Sequence, residues 1–447
     1  MLQKTYRDDL RLLRDAAFHA VPNECDGNLM THPKKIRLEG RIANYDREFD
    51  GAIEIDTATG LIEHVGPIEG RSDLPTDGCI IFPGFGDLHI HAREDVSGSQ
   101  CYKEDFVTNS NAAIHGGVAH VADMPNNPVA PIDDEKYSAK ELLTQKSAVH
   151  VTLYAGIGPQ TQPLKRHVPY KAFMGPSVGD LFFRSQEQLE TAIANYRGRN
   201  VSFHCEDPEI LEAHKNAPTH EQRRPASAEI TATEFALYLI EKYELIGKLC
   251  HYSTGDGLQK IAAAKARGVR VTCEATPHHL FFDDSMLTEQ NRLWLQMNPP
   301  LRGPKDRVAL IAALKDGLVD YIATDHAPHT IEEKLKGISG VPLLDTYGSF
   351  ATWLMAEHGF AARDISRVCA YNPGVFVREF LPASLGKGFG LIQPGYAGSL
   401  TILDLNTPYA VTRESVKTKC AWSPFEGYTF PGSVRYTVLN GKVHQAV

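Results

Sequence analysis

Short apolar runs rich in Val and Ile recur through the middle of the chain. They cover 80–91, 118–124, 150–155, 170–174, 201–205, 249–253, 269–275 and 319–324. Runs of this length without strict alternation predict strands buried on both faces. Between them, 185–196, 227–243, 257–267 and 304–316 carry apolar residues at helical spacing. Eight strand–helix units over about 250 residues predict an α/β fold, a (β/α)8 TIM-type barrel. A doubly wound open sheet has the same alternation and is the competing architecture, because closure of a sheet leaves no mark on periodicity.

The flanks follow a different rhythm. Residues 35–83 hold short alternating pieces such as Ile36-Arg37-Leu38 and Ala52-Ile53-Glu54-Ile55, punctuated by Gly, Asp and Pro. Residues 388–447 do the same, with Gly398 to Leu403 and Tyr436 to Lys442 as the clearest examples. Both read as antiparallel strands joined by turns. The expected organisation is a small β-sandwich-like domain built from 35–80 and 388–447, a barrel over 81–387, and a helix-containing N-terminal extension over 1–34.

Composition narrows the class. The chain has 447 residues, is 42% hydrophobic and 23% charged, and carries a formal charge of −9. Those fractions suit a globular protein with a sizeable core. The acidic balance argues against a nucleic-acid partner or an anionic membrane surface. No apolar run approaches the ~20 residues of a membrane span, and residues 1–13 lack the apolar stretch of a secretory signal. Eight cysteines form no CxxC pair, which predicts reduced thiols and a cytoplasmic location.

In a parallel barrel, reactive groups project from the C-terminal strand ends. The first run ends in Asp87-Leu88-His89-Ile90-His91-Ala92-Arg93. On a strand, His89 and His91 share one face and can chelate a divalent metal. A hydrogen-bonded polar pair is the alternative. Lys171 sits inside the apolar fourth strand. It is either an outward, solvated lysine or a desolvated amine neutralised chemically, as by reaction with CO2 to a carbamate. Strand five ends at His204-Cys205-Glu206-Asp207, strand six at Cys250-His251, and strand eight at Asp325-His326-Ala327-Pro328-His329. Metal-type side chains at so many strand ends of one barrel point to a metal centre. Cys205 and Cys250 should face away from their neighbouring histidines as core thiols, and Glu206-Asp207 should cap the segment that follows.

The segments PGFGDLHIHAR, FHCED, CHYST, TPHHL, MNPPLR and ATDHAPHT, with the strand-four lysine, resemble in order those of the dihydroorotase family, in the cyclic-amidase branch of the amidohydrolase superfamily. The resemblance runs from Lys35 to the C-terminus. It implies a metal-dependent enzyme that reversibly closes N-carbamoyl-L-aspartate to L-dihydroorotate in pyrimidine biosynthesis. Carried over, His89, His91 and Asp325 hold one zinc, His204 and His251 a second, and carboxylated Lys171 bridges them; without that bridge the site is mononuclear. Asp325 doubles as general base. Arg93, Asn126, Asn298 and His329 are the implied substrate contacts, with Arg93 gripping the ring carboxylate bidentately. The same resemblance implies a small-molecule substrate and a homo-oligomer, in its simplest form a dimer. Rival functions are a neutral-ring cyclic amidase (allantoinase, hydantoinase or dihydropyrimidinase), which has no use for Arg93, and a non-catalytic scaffold, which would lack metal ligands.

Overall fold

The computed structural model describes residues 34–176 and 181–446. The helix expected within the N-terminal extension lies outside the described residues. Four strands open the chain: β1 (Lys35–Ala43), β2 (Glu48–Asp56), β3 (Leu61–Gly66) and β4 (Cys79–Pro83). Ile36 and Leu38 of β1 turn inward while Lys35 stays exposed, as period-2 alternation requires.

The run 80–91 was expected as one strand, and it is two. It breaks at Gly84, between β4 and β5 (Phe85–Ile90). A Cβ at position 84 would lie 2.6 Å from the Ala119 Cβ and 3.1 Å from the Ser399 backbone, so only glycine lets the chain pass from one sheet to the other here. All six residues of β5 are buried, consistent with a strand covered on both faces.

From β5 the parallel strands follow in order: β6 (Val118–Asp123), β7 (His150–Leu153), β8 (Ala155–Ile157), β9 (Tyr170–Phe173), β10 (Asn200–His204), β11 (Ile246–Leu249), β12 (Val271–Ala275) and β13 (Tyr321–Ile322). β7 pairs with β6 and β8 with β9, so these two pieces are successive halves of the third barrel strand, interrupted at Tyr154. The ring closes where Ile90 bridges His326 in parallel, with the His91 amide donating to the His326 carbonyl at 2.8 Å. This contact between the ends of strands one and eight decides for a barrel over an open sheet.

The helical stretches form close to their expected limits. Ser185 caps Gln186–Ile193, Ala226–Lys242 and Gly255–Ala266 follow strands five and six, and Pro304 opens Pro304–Lys315 at a position where its missing N–H costs nothing. The chain ends in β14 (Leu400–Asp404), the small pair β15 (Tyr409–Ala410) and β16 (Thr429–Phe430), then β17 (Ser433–Leu439) and β18 (Lys442–Gln445). β18, β17, β14, β4, β1, β2 and β3 lie side by side in that order, so chain from both flanks shares one seven-stranded sheet. The sheet is mixed: β1 and β4 run parallel because β2, β3 and the segment after them form a crossover.

Candidate active site

The C-terminal strand ends converge on a cavity lined by His89, His91, Arg93, Asn126, His204, His251, Asn298 and Asp325. Eight of the ten candidate site residues therefore line one cavity. Lys171 and His329 sit just behind it.

Asp325 Oδ1 lies 3.2 Å from His89 Nε2 and 3.0 Å from His91 Nε2. His204 Nδ1 and His251 Nε2 face each other at 2.8 Å. Ligand atoms of His89, His251 and Asp325 all fall within 4.8 Å of one another, close enough to hold one ion. Burial pushes all four imidazoles below their ordinary pKa, and the neighbouring Lys171 amine pushes the same way. They are thus neutral, the state in which imidazole binds metal. Burial raises Asp325 to about 7, against the pull of Lys171, His204 and Arg93.

Two carboxylates set the histidine tautomers. His89 Nδ1 donates to Glu274, which also pairs with buried Lys248. His204 Nε2 donates to Glu206 at 2.8 Å, and Arg224 binds the same carboxylate. Since a carboxylate only accepts, His89 Nε2 and His204 Nδ1 keep their lone pairs, the first facing Asp325 and the second His251. Arg224 and His204 hold Glu206 well below the usual carboxylate range despite its burial. Glu206 is therefore an orienting group and not the cap expected of it, whereas Asp207 does cap the helix Pro208–His214. Glu274 went unread in the sequence. Its signal was an acid inside the buried strand VTCEA, the same kind of signal that marked Lys171.

Lys171 is fully buried on β9. Among the described residues it has no carboxylate partner; its amine meets the Cys250 thiol at 2.8 Å and lies 5.2 Å from the centre of the Phe173 ring. Cys250 is packed among core residues, as expected, and its sulfur also meets the site's lysine. The strand ends at Leu249, so period-2 alternation no longer governs residues 250 and 251.

Backbone strain concentrates here. Among the described non-glycine residues, six have φ in the left-handed region, and three of them are Arg93 (63°), His251 (36°) and Asp325 (48°). Each such residue is disfavoured by about 1–3 kcal/mol and persists where its surroundings over-determine it. Arg93 therefore reaches the cavity by a left-handed turn and not by continuing the pleat of strand one. Asp87 braces this region: it accepts from the His89 amide at 3.1 Å and the Thr324 amide at 3.0 Å, tying the two strand ends together.

Arg93 is buried, and neither of its described partners is a carboxylate. Its Nε donates to the Pro328 carbonyl at 3.3 Å and an Nη to His329 Nε2 at 3.1 Å. His329 must accept there, so its Nδ1–H faces Glu333 Oε2 at 3.1 Å. His329 thereby orients Arg93 from behind the wall. Among the described residues, the buried side-chain oxygens of Asn126 and Asn298 have no hydrogen-bond partner.

The fit to a metal is good: neutral imidazoles with oriented lone pairs, one carboxylate between two of them, and a buried amine with no counter-charge among the described residues. No described helix is long and apolar enough to cross a membrane. The model of the amidohydrolase family matches residues 80–444. Dihydroorotase from Thermococcus kodakarensis is 34% identical over 412 residues, covering 91% of this chain and 93% of the relative. Dihydroorotase from Pyrococcus furiosus is 30% identical, with 92% of each chain covered. Among solved structures, the L-hydantoinase (dihydropyrimidinase) of Arthrobacter aurescens superimposes with a TM-score of 0.81 at 22% identity, covering 91% of this chain and 95% of its own. At that identity the likeness speaks for the fold.

Proposed function

The chain belongs to the amidohydrolase family, and from its dihydroorotase relatives and its own site we propose that it interconverts N-carbamoyl-aspartate and dihydroorotate. The observation that carries the substrate is Arg93, a buried guanidinium with no carboxylate partner among the described residues, opening on the same cavity as the metal-type ligands. A buried cation in that state is an incomplete ion pair, and a ring carboxylate completes it with two charge-assisted hydrogen bonds. The Asn126 and Asn298 side-chain oxygens supply acceptors for ring N–H groups.

His89, His91 and Asp325 would hold one divalent ion and His204 with His251 a second, with Lys171 as the bridging group once carboxylated. Zinc suits an imidazole-rich set completed by oxygen. Metal bound there lowers the pKa of water and polarises the amide carbonyl. The protein's own part is proton transfer and orientation. In hydrolysis Asp325 takes the proton from attacking water and delivers it to the departing ring nitrogen. Ring closure reverses the order: the carbamoyl nitrogen gives up its proton as it bonds to the carboxyl carbon, and water leaves. Arg93 holds the other carboxylate fixed, keeping the reacting carbonyl against Asp325.

Purified protein is to be assayed against dihydroorotate, hydantoin and allantoin, with elemental analysis of the same sample. Turnover of dihydroorotate far above the other two is expected. Preference for an uncharged ring would overturn the assignment of the Arg93 pocket.

A further inference from the structure

One wall of the cavity comes from two segments far apart in sequence, around Asn298 and around Ser339-Gly340. What joins them is Lys334, on the helix Ile331–Leu335 that follows the strand-eight motif. Its side chain is fully buried, and its amine donates at 2.9 Å to each of three main-chain carbonyls, those of Gln296, Ile338 and Gly340. The Gly340 amide donates back to the Gln296 carbonyl at 2.9 Å, and the Gln296 side chain reaches the Gly337 carbonyl and the Ser339 hydroxyl. The Trp422 ring closes over the ammonium with its centre 5.7 Å away.

No described carboxylate pairs with this lysine. Burial alone would pull it down to about 7. Three carbonyls matched to the three N–H bonds of an ammonium oppose that, since the neutral amine could serve only two. The arrangement tolerates little slack. Gly340 has φ of 130°, and a Cβ there would come within 2.7 Å of the Ala327 carbonyl and 3.0 Å of the His329 ring. Gly340 thus sits between the Lys334 clamp and the histidine that orients Arg93. Glu333, the residue before Lys334, binds His329 at Nδ1.

We infer that Lys334 is a positioning residue that clamps segment 337–341 to segment 296–298 and so sets the width of the substrate pocket opposite the metal-type ligands. The kinetic consequence rests on the dihydroorotase reading; the clamp itself does not. A loosened wall weakens ground-state and transition-state binding alike, so the effect falls on KM more than on kcat.

The test is Lys334→Met beside wild type, with hydrogen exchange of the backbone amides of 337–341, kcat and KM for dihydroorotate, and metal content. Exchange in that segment should rise about tenfold or more, and KM should rise about tenfold with kcat within about threefold and metal content unchanged. Gln296→Leu keeps the lysine but removes the side-chain links, and should shift exchange and KM in the same direction by less; it decides the matter if Lys334→Met does not fold. Unchanged exchange in 337–341 overturns the clamp. Increased exchange with unchanged KM, or loss of metal together with kcat, overturns the positioning role. Failure of wild type to turn over dihydroorotate overturns the reaction assignment instead, and the exchange measurement still decides the clamp.

Discussion

Replacing Arg93 with methionine removes a guanidinium from a site that leaves it almost no solvent, 3% exposed, and no described carboxylate. In the free protein the change relieves a buried, uncompensated charge, whose burial already lowers the arginine's pKa, and loses two hydrogen bonds to neutral acceptors. These effects oppose each other, and thermal stability should change little. With substrate bound the balance tips one way. A ring carboxylate entering the Arg93→Met pocket is desolvated and finds no cation, a loss of about 2–5 kcal/mol as for one truncated partner of a buried charge pair. At 1.36 kcal/mol per tenfold this is about 30- to 5,000-fold in kcat/KM. The assay compares dihydroorotate with 5,6-dihydrouracil, the same ring without the carboxylate, in wild type and variant, with metal content measured alongside. The carboxylated ring should lose its advantage while metal content holds. Equal losses on both rings, or a loss under about fivefold on dihydroorotate, would refute the reasoning, because a charge-assisted pair cannot be worth so little in a dry pocket.

Asp325→Asn should lower turnover by at least the ~10²–10⁴-fold of a missing general base while the thermal transition stays cooperative, checked by steady-state kinetics and calorimetry. Lys171→Ala should reduce bound metal to one equivalent or less per chain and remove most activity, with short carboxylic acids restoring part of both; an intact two-metal stoichiometry would sink the carbamate bridge. Glu229, buried against Ser253, is raised by burial from 4.5 to about 7. Because its folded pKa lies above the unfolded one, its protonated form favours the fold: that stability is complete below pH 4.5 and lost as pH rises through about 7. Glu229→Gln should flatten the fall of Tm over that window, read from thermal scans at constant ionic strength.

Much of this site was legible along the chain because its signals are local. Alternation with period 2 put His89 and His91 on one face, a lysine in an apolar strand flagged Lys171, and polar residues following buried runs marked His204, His251 and Asp325. The helices 186–193 and 304–315 were readable for the same reason, since caps and periodicity act within a few residues. Tertiary structure alone decided the rest. Closure of the barrel depends on a pairing between Ile90 and His326, more than two hundred residues apart. The left-handed backbone of Arg93, His251 and Asp325 exists because packing on all sides outweighs local preference, and no sequence pattern encodes it. Which nitrogen of His89 or His204 keeps its lone pair follows from Glu274 and Glu206, and only the folded chain brings Glu274 to His89 or Arg224 to Glu206. Lys334 reads in sequence as one more charge on a short polar helix; it becomes a clamp only when burial strips its water and leaves three carbonyls to replace it.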